Sequence, residues 1–182
     1  MTGTTRLKYT LGFIYCRETE QVLLLNRMKS PWMGKWNGVG GKLNPGETAY
    51  ECIVRETLEE TGLTLPQFRC RGILMWDVRE YGTINSGDVD SGGLYLFTAE
   101  VSRQQVLDFP TPQLFDEGIL HWHSVKWITD ADNLGIVDNV KILFQNDTIF
   151  NSNVNDLFTV KYQDNNLVSF IHLPGKNNVY LD

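Results

Sequence analysis

The sequence has little of what would mark a disulfide-stapled, membrane-spanning or polymer-binding protein. Its three cysteines, Cys16, Cys52 and Cys70, are odd in number and sit in no CxxC or Cys/His spacing. That argues against a disulfide framework or a zinc site and for a reducing compartment. The three histidines, His121, His123 and His172, make no spaced set with acids or cysteines that suggests a chemistry, and they read as exposed strand residues. No apolar run approaches the roughly 18 residues of a membrane span, and Met1 to Thr10 lacks the apolar centre of a leader. Lys and Arg number 16 against 22 Asp and Glu, a net charge of -6. A general electrostatic grip on a nucleic-acid polymer is therefore not expected, whereas a small phosphorylated ligand could be held locally with a cation to help it in. No repeat, low-complexity tract or Ser/Pro-rich linker divides the chain. With 182 residues, 42% of them hydrophobic, the expectation is one domain over residues 1–182, soluble and cytoplasmic, a monomer or homodimer.

What is present reads as strands with interleaved helices. Tyr9 to Tyr15 and Val22 to Leu25 are β-rich apolar runs joined by a polar turn. A loop with Pro31 and the glycines Gly34, Gly38, Gly40 and Gly41 leads to a second turn at Asn44-Pro45-Gly46. Thr48 followed three residues later by Glu51 is a capping-box pattern, and Gly62 suits a helix C-terminus, so a helix is expected at about residues 48–61. Tyr50, Ile53, Val54 and Thr57 would form its apolar face. Arg71 to Val78, Gly93 to Val101 and Leu120 to Trp127 read as strands, Arg79 to Gly92 as a polar loop, and Asn139 to Phe150 as mixed helical. Leu157 to Tyr162 and Leu167 to Leu173 read as a hairpin. The class is α/β or α+β with a mixed sheet.

On the expected helix, Glu56, Glu59 and Glu60 fall at i, i+3, i+4, within an arc of roughly 100 degrees. Like charges at this spacing repel, and the last two lie where the helix dipole disfavours anions. A local rule broken twice in one place suggests a compensating cation, and hard oxygen donors select magnesium or manganese over zinc. The plain alternative is a solvated acidic face with Arg55 and Glu59 as an i, i+4 pair.

The surroundings are more specific. From Gly41, five residues precede Glu47, seven more precede Arg55-Glu56, and Glu59-Glu60-Thr61-Gly62-Leu63 closes the run. This resembles the Nudix box, Gx5Ex7REUxEExGU, with every single-residue position filled and Thr57 where the family usually has an aliphatic side chain. The resemblance implies an α/β/α sandwich around a central mixed sheet. It implies a hydrolase using Mg²⁺, or Mn²⁺, held by carboxylates matching Glu56, Glu59 and Glu60 and by the backbone carbonyl of Gly40. Arg55 and Glu47 would pair to orient the loop on the helix. Glu56 is the first choice for general base and Glu60 the second. A carboxylate beside a metal keeps a low pKa, so an alkaline optimum from metal-bound hydroxide is expected.

Outside the box the chain is similar to the MutT-type branch, which includes oxidised-purine nucleoside triphosphatases (8-oxo-dGTP diphosphatases). The matches are Tyr9-Thr10-Leu11, Gly34 to Lys42, and Asp116-Glu117 followed by Trp122. By that likeness Thr10, Asn37, Trp76 and Asp138 would contact a nucleotide substrate, and Glu117 would add a metal ligand or base. Each has a plainer reading: Asn37 as a turn former, Trp76 as a core aromatic, Glu117 as a solvated acid, Asp138 as a helix N-cap. The animal enzymes carry two adjacent aspartates shortly after a tryptophan where this chain has Ile136-Val137-Asp138-Asn139, one carboxyl and one aromatic wall fewer. Tyr81, about 18 residues past the box, resembles the tyrosine of dinucleotide polyphosphate hydrolases, a second substrate class. A nucleotide-sensing module that does not cut is a third possibility; such modules commonly lose box carboxylates, and all are present here.

Overall fold

The computed structural model describes residues 7–79, 90–163 and 166–177; Tyr81 lies outside them. The first strands are β1 (Tyr9–Cys16), β2 (Gln21–Arg27) and β3 (Trp36–Asn37), followed by the helix α1 (Ala49–Thr61). Then come β4 (Arg69–Arg79), β5 (Asp90–Glu100), α2 (Arg103–Asp108), β6 (Gln113–Phe115) and β7 (Gly118–Ser124). The chain ends in three short helices, α3 (Val125–Thr129), α4 (Asp138–Phe144) and α5 (Thr148–Asn151), and a hairpin of β8 (Leu157–Gln163) with β9 (Asn166–Leu173).

Among the described residues one mixed sheet runs β6-β7-β2-β1-β5-β4-β8-β9, with β3 added beside β2. β1 pairs parallel with β5 and β4 parallel with β8, while the other neighbours are antiparallel. The unbroken apolar runs of β1 and β2 follow from burial on both faces. Ile14, Cys16, Leu23 and Leu25 pack on the α1 side, and Leu11, Phe13, Tyr15, Val22 and Leu24 pack against Val140, Leu143 and Phe144 of α4. The expected α/β/α arrangement with a central mixed sheet is thus present. No helix among the described residues is long and apolar enough to cross a membrane.

The α1 expectation holds at both ends. Thr48 and Glu51 form the reciprocal capping box, and Gly62 closes the helix at φ 74°. Its buried face is Ala49, Cys52, Ile53, Thr57, Glu60 and Thr61. Tyr50, expected on that face, is exposed, its hydroxyl donating to the Pro66 carbonyl. The strand expected to reach Trp127 stops at Ser124, whose side chain accepts from the Trp127 amide and starts α3. The helix α2 was not expected, although Ser102 and Gln105 form a capping box of their own. The histidines are not simply exposed. His123 stacks on Trp127 at 3.9 Å beside Trp36, and burial pushes its imidazole pKa down to about 4. His172 pairs with the buried Asp156 at 2.8 Å.

Candidate active site

The glycine loop is zipped to β1. The Thr10 amide donates to the Gly41 carbonyl at 2.9 Å, and Gly12 and Val39 exchange amide bonds at 2.7 and 3.0 Å. Leu43 continues the pairing onto Lys8. The loop backbone is thereby fixed by the sheet, and α1 packs over it. Gly41 is required here for a spatial reason: a Cβ at this position would lie 2.5 Å from the Glu56 carboxylate. Only a residue without a side chain lets that carboxylate settle on the loop.

Arg55 braces the arrangement. Its guanidinium grips Glu47 through two bonds of 2.7 and 2.9 Å and donates to the Lys42 carbonyl at 3.1 Å. The paired fork is the geometry in which arginine binds carboxylate best. The bond to Arg55 holds the Glu47 carboxyl below its ordinary pKa, and the bond to Glu47 raises that of Arg55. The remaining Arg55 nitrogen reaches Glu56 at 2.7 Å and Glu59 at 3.1 Å.

The three box glutamates, expected on one helix face, differ in exposure. Glu59 is exposed, Glu56 is half-buried, and Glu60 turns inward at 5% exposure. Glu60 accepts the Gly40 amide at 2.8 Å. Burial pushes its pKa up to about 8, against the relief of that bond, with the charges of Glu56 and Glu117 adding to the rise. Burial also raises Glu56, offset by Arg55. Among the described residues no three acidic, histidine or cysteine side chains converge on one point, and Arg55 bridges Glu56 and Glu59. The donors nevertheless fit a hard divalent cation. They are oxygen ligands, and two of them, Glu56 and Glu60, are held out of water at a cost that a cation would offset. Glu117 lies on the turn between β6 and β7, where it accepts Lys29 Nζ at 2.7 Å.

The residues expected to contact a nucleotide are divided. Trp76 packs on the α4 side of the sheet, 6.1 Å from the Tyr9 ring. Asp138 is the first residue of α4; the N-cap is Val137, so the N-cap alternative for Asp138 is not realised. Its charge, after burial, raises the pKa of Tyr162, whose ring packs on Trp32 at 5.2 Å. Asn37 turns its Oδ1 to the Gly38 amide at 2.8 Å, which is the turn-forming role. Thr10 does not join them. It is buried on the α1 side, with its hydroxyl 3.4 Å from Cys52 Sγ and 3.5 Å from the Gly41 amide, so it supports the loop rather than an open cleft. Sequence reasoning passed over Lys29, Trp32 and Tyr162. A lone lysine in Met-Lys-Ser-Pro and two aromatics in separate segments carry no signal until the sheet brings them to Glu117 and Asp138.

A mixed sheet between helical layers, with a glycine loop fixed to its first strand and a glutamate-bearing helix packed on that loop, defines an α/β sandwich with a loop–helix carboxylate site. The NUDIX domain family model matches residues 7–141, and the chain belongs to that family. It is 42% identical over 63 residues to the mouse oxidized purine nucleoside triphosphate hydrolase, covering 35% of this chain and 38% of that protein. It is 28% identical over 115 residues to an uncharacterized Nudix hydrolase of Bacillus subtilis, 63% of each chain. Both spans fall short of two thirds of the relatives' own length. Across most of both chains it resembles the crystal structure of a MutT protein from Bacillus halodurans, with a TM-score of 0.67, 26% identity, and coverage of 90% of this chain and 95% of that one.

Proposed function

We propose that this protein is a divalent-cation-dependent hydrolase that cuts the phosphate chain of a nucleoside triphosphate, releasing nucleoside monophosphate and pyrophosphate. An oxidised purine nucleotide such as 8-oxo-dGTP is the first substrate to test. The observation that carries the reading is the placement of Glu56 and Glu60 against the glycine loop, one seated where Gly41 leaves room and the other bonded to Gly40. Arg55 already partners Glu56; the burial of Glu60 beside it costs free energy that a bound cation would offset.

Glu56, Glu59 and Glu60, with the Gly40 carbonyl and Glu117, would hold Mg²⁺ or Mn²⁺. When bound, the cation supplies Lewis-acid polarisation of the phosphate and lowers the pKa of a water. Arg55 and Glu47 keep the helix registered on the loop, so the carboxylates need no rearrangement at the moment of reaction. Glu56 takes the proton of the attacking water; it is less deeply buried than Glu60, which stands second for the role. Asn37 and Asp138 read the base edge and Trp76 stacks on the base. With one lone pair of its Oδ1 accepting the Gly38 amide, Asn37 can still accept through the other and donate through its amide nitrogen.

The test is a kcat/KM panel over 8-oxo-dGTP, 2-oxo-dATP, the normal dNTPs, diadenosine polyphosphates and ADP-ribose, with products identified, for the wild type and Glu56→Gln. Metal-dependent release of pyrophosphate from a triphosphate is the expected result. Recovery of diphosphate and orthophosphate would place the attack elsewhere, and no turnover on any member would favour a nucleotide-sensing module.

A further inference from the structure

Lys29, on the loop after β2, and Glu117, on the turn between β6 and β7, are brought together by the β2–β7 pairing. Residues 28–34 form a short loop after β2. The loop is closed by the Gly34 amide on the Arg27 carbonyl at 2.7 Å and by Arg27 Nε on the Pro31 carbonyl at 2.8 Å. Asn26 Nδ2 adds a bond to the Gly34 carbonyl at 3.1 Å. Glu117 sits on the β6–β7 turn directly beyond the β2–β7 pairing that ends at Arg27 and Gly118. Two contacts join loop and turn: the Met28 amide donates to the Glu117 carbonyl at 3.0 Å, and Lys29 Nζ to Glu117 Oε1 at 2.7 Å. The first is backbone to backbone and sets the position of both segments. The second is a side-chain pair in which Lys29 is well exposed and Glu117 partly so, and an isolated exposed pair of this kind contributes little to stability.

A weak ion pair held on a rigid backbone contact is suited to exchange. Glu117 lies close enough to Glu60 for their charges to interact. A divalent cation held at Glu60 and the Lys29 ammonium would therefore compete for the same carboxylate. If Glu117 turns to the cation, the lysine loses its partner while the Met28 amide keeps it at the rim. Lysine carries a compact charge on a flexible four-carbon stem, able to follow an anion over several ångströms. The anion entering at that moment is the phosphate chain accompanying the cation.

We propose that Lys29 is a substrate-positioning residue, paired with Glu117 until the cation takes that carboxylate and then transferred to the phosphate chain of the substrate. The inference rests on the proposed cation site and adds to it a cost that Lys29 imposes on cation binding and a gain it returns on nucleotide binding. No bond is made or broken in the exchange; one ion pair is replaced by another.

The experiment measures Mn²⁺ affinity of the nucleotide-free protein by the loss of free-ion EPR signal, and separately KM and kcat on the best triphosphate. The variants are Lys29→Met, Lys29→Arg and Glu117→Gln, each checked by thermal melting. Lys29→Met is expected to bind Mn²⁺ about threefold to tenfold more tightly and to raise KM about tenfold with kcat within about twofold. Lys29→Arg is expected to restore wild-type behaviour in both. The inference is overturned if Lys29→Met changes neither quantity, or only one of them. Glu117→Gln separates this failure from that of the cation site. If it weakens Mn²⁺ binding while Lys29→Met does nothing, the exchange alone is wrong. If it leaves Mn²⁺ binding at the wild-type level, Glu117 is no ligand, and that part of the proposed site fails together with the inference.

Discussion

The loop–helix region around Gly40 and α1 and the region around Trp76, Tyr162 and Asp138 are built on different plans. The first comes from one short run of chain, is braced by charge-assisted bonds of Arg55, and has its backbone fixed by β1. The second is assembled from β4, the loop after β2, the start of α4 and β8, and is made of aromatic packing with few polar bonds among its side chains. The difference teaches what each can tolerate. The first holds its carboxylates by several directional bonds, so a small change should be felt as lost turnover. The second sets shape and polarity over a wider area, so a change should redistribute preference among substrates.

Removing the proposed proton acceptor is the strongest test of that contrast. Glu56→Gln should lower kcat by about 10³-fold with KM changed only a few-fold, read by pyrophosphate release. A loss under tenfold would remove Glu56 from the chemistry. The next effect concerns stability without cation. The folded state raises Glu60 from 4.5 to about 8, so between those values the folded protein holds a proton that the unfolded chain has released. Stability contributed by the protonated form is present below about pH 4.5 and is lost as pH rises through about 8, of order 5 kcal/mol in all. In chelator, melting temperature should therefore fall from pH 5 to pH 8, and Glu60→Gln should flatten the slope. Added Mg²⁺ should restore the loss and release a proton. An equal slope in wild type and variant would show that Glu60 is not the group responsible.

Gly41→Ala tests the close approach itself. Displacing Glu56 from the loop should reduce kcat about 100-fold, while the rest of the sheet keeps the protein folded at a cost of about 1–3 kcal/mol. Wild-type turnover in this variant would mean that Glu56 need not touch the loop. The smallest expected effect falls in the second region. Asp138→Asn should change kcat/KM by about tenfold for one base and little for another, with Mn²⁺ affinity unaltered. A uniform loss across bases would make Asp138 structural and blur the distinction between the two regions.

The same contrast explains what could be read from the chain alone. Helix α1 was legible because its start and stop are written locally, in Thr48, Glu51 and Gly62, whereas the Glu47–Arg55 pair was expected only from the resemblance of residues 41–63 to the Nudix box. Periodicity could not say which way the helix is rotated, and so it placed Tyr50 inside and grouped Glu60 with Glu59 on one face. The packing of Ala49, Cys52 and Ile53 on the sheet decided that. Thr10 was misplaced for a related reason: strand alternation sends it to the α1 side, and only the pairing of β1 with the loop shows that this side is filled. Ser124 ends its strand by a side-chain cap that a β-rich reading of Leu120 to Trp127 overlooks. Lys29, Trp32 and Tyr162 were not legible at all, because their meaning lies in partners far away in sequence.

The parallel pairing of β4 with β8 carries a consequence for the order in which the molecule is completed. The bonds that fix the glycine loop and α1 connect β1 to chain made shortly afterwards, whereas β4 receives Leu157 to Gln163 only near the end of the sequence. Non-local parallel strands are slow to find each other, and synthesis runs from the N-terminus. A nascent chain can therefore have its carboxylate loop in place while the wall bearing Tyr162 is still in the ribosome. On this timetable, the proposed cation-holding loop would form before the Tyr162 wall that packs beside Asp138.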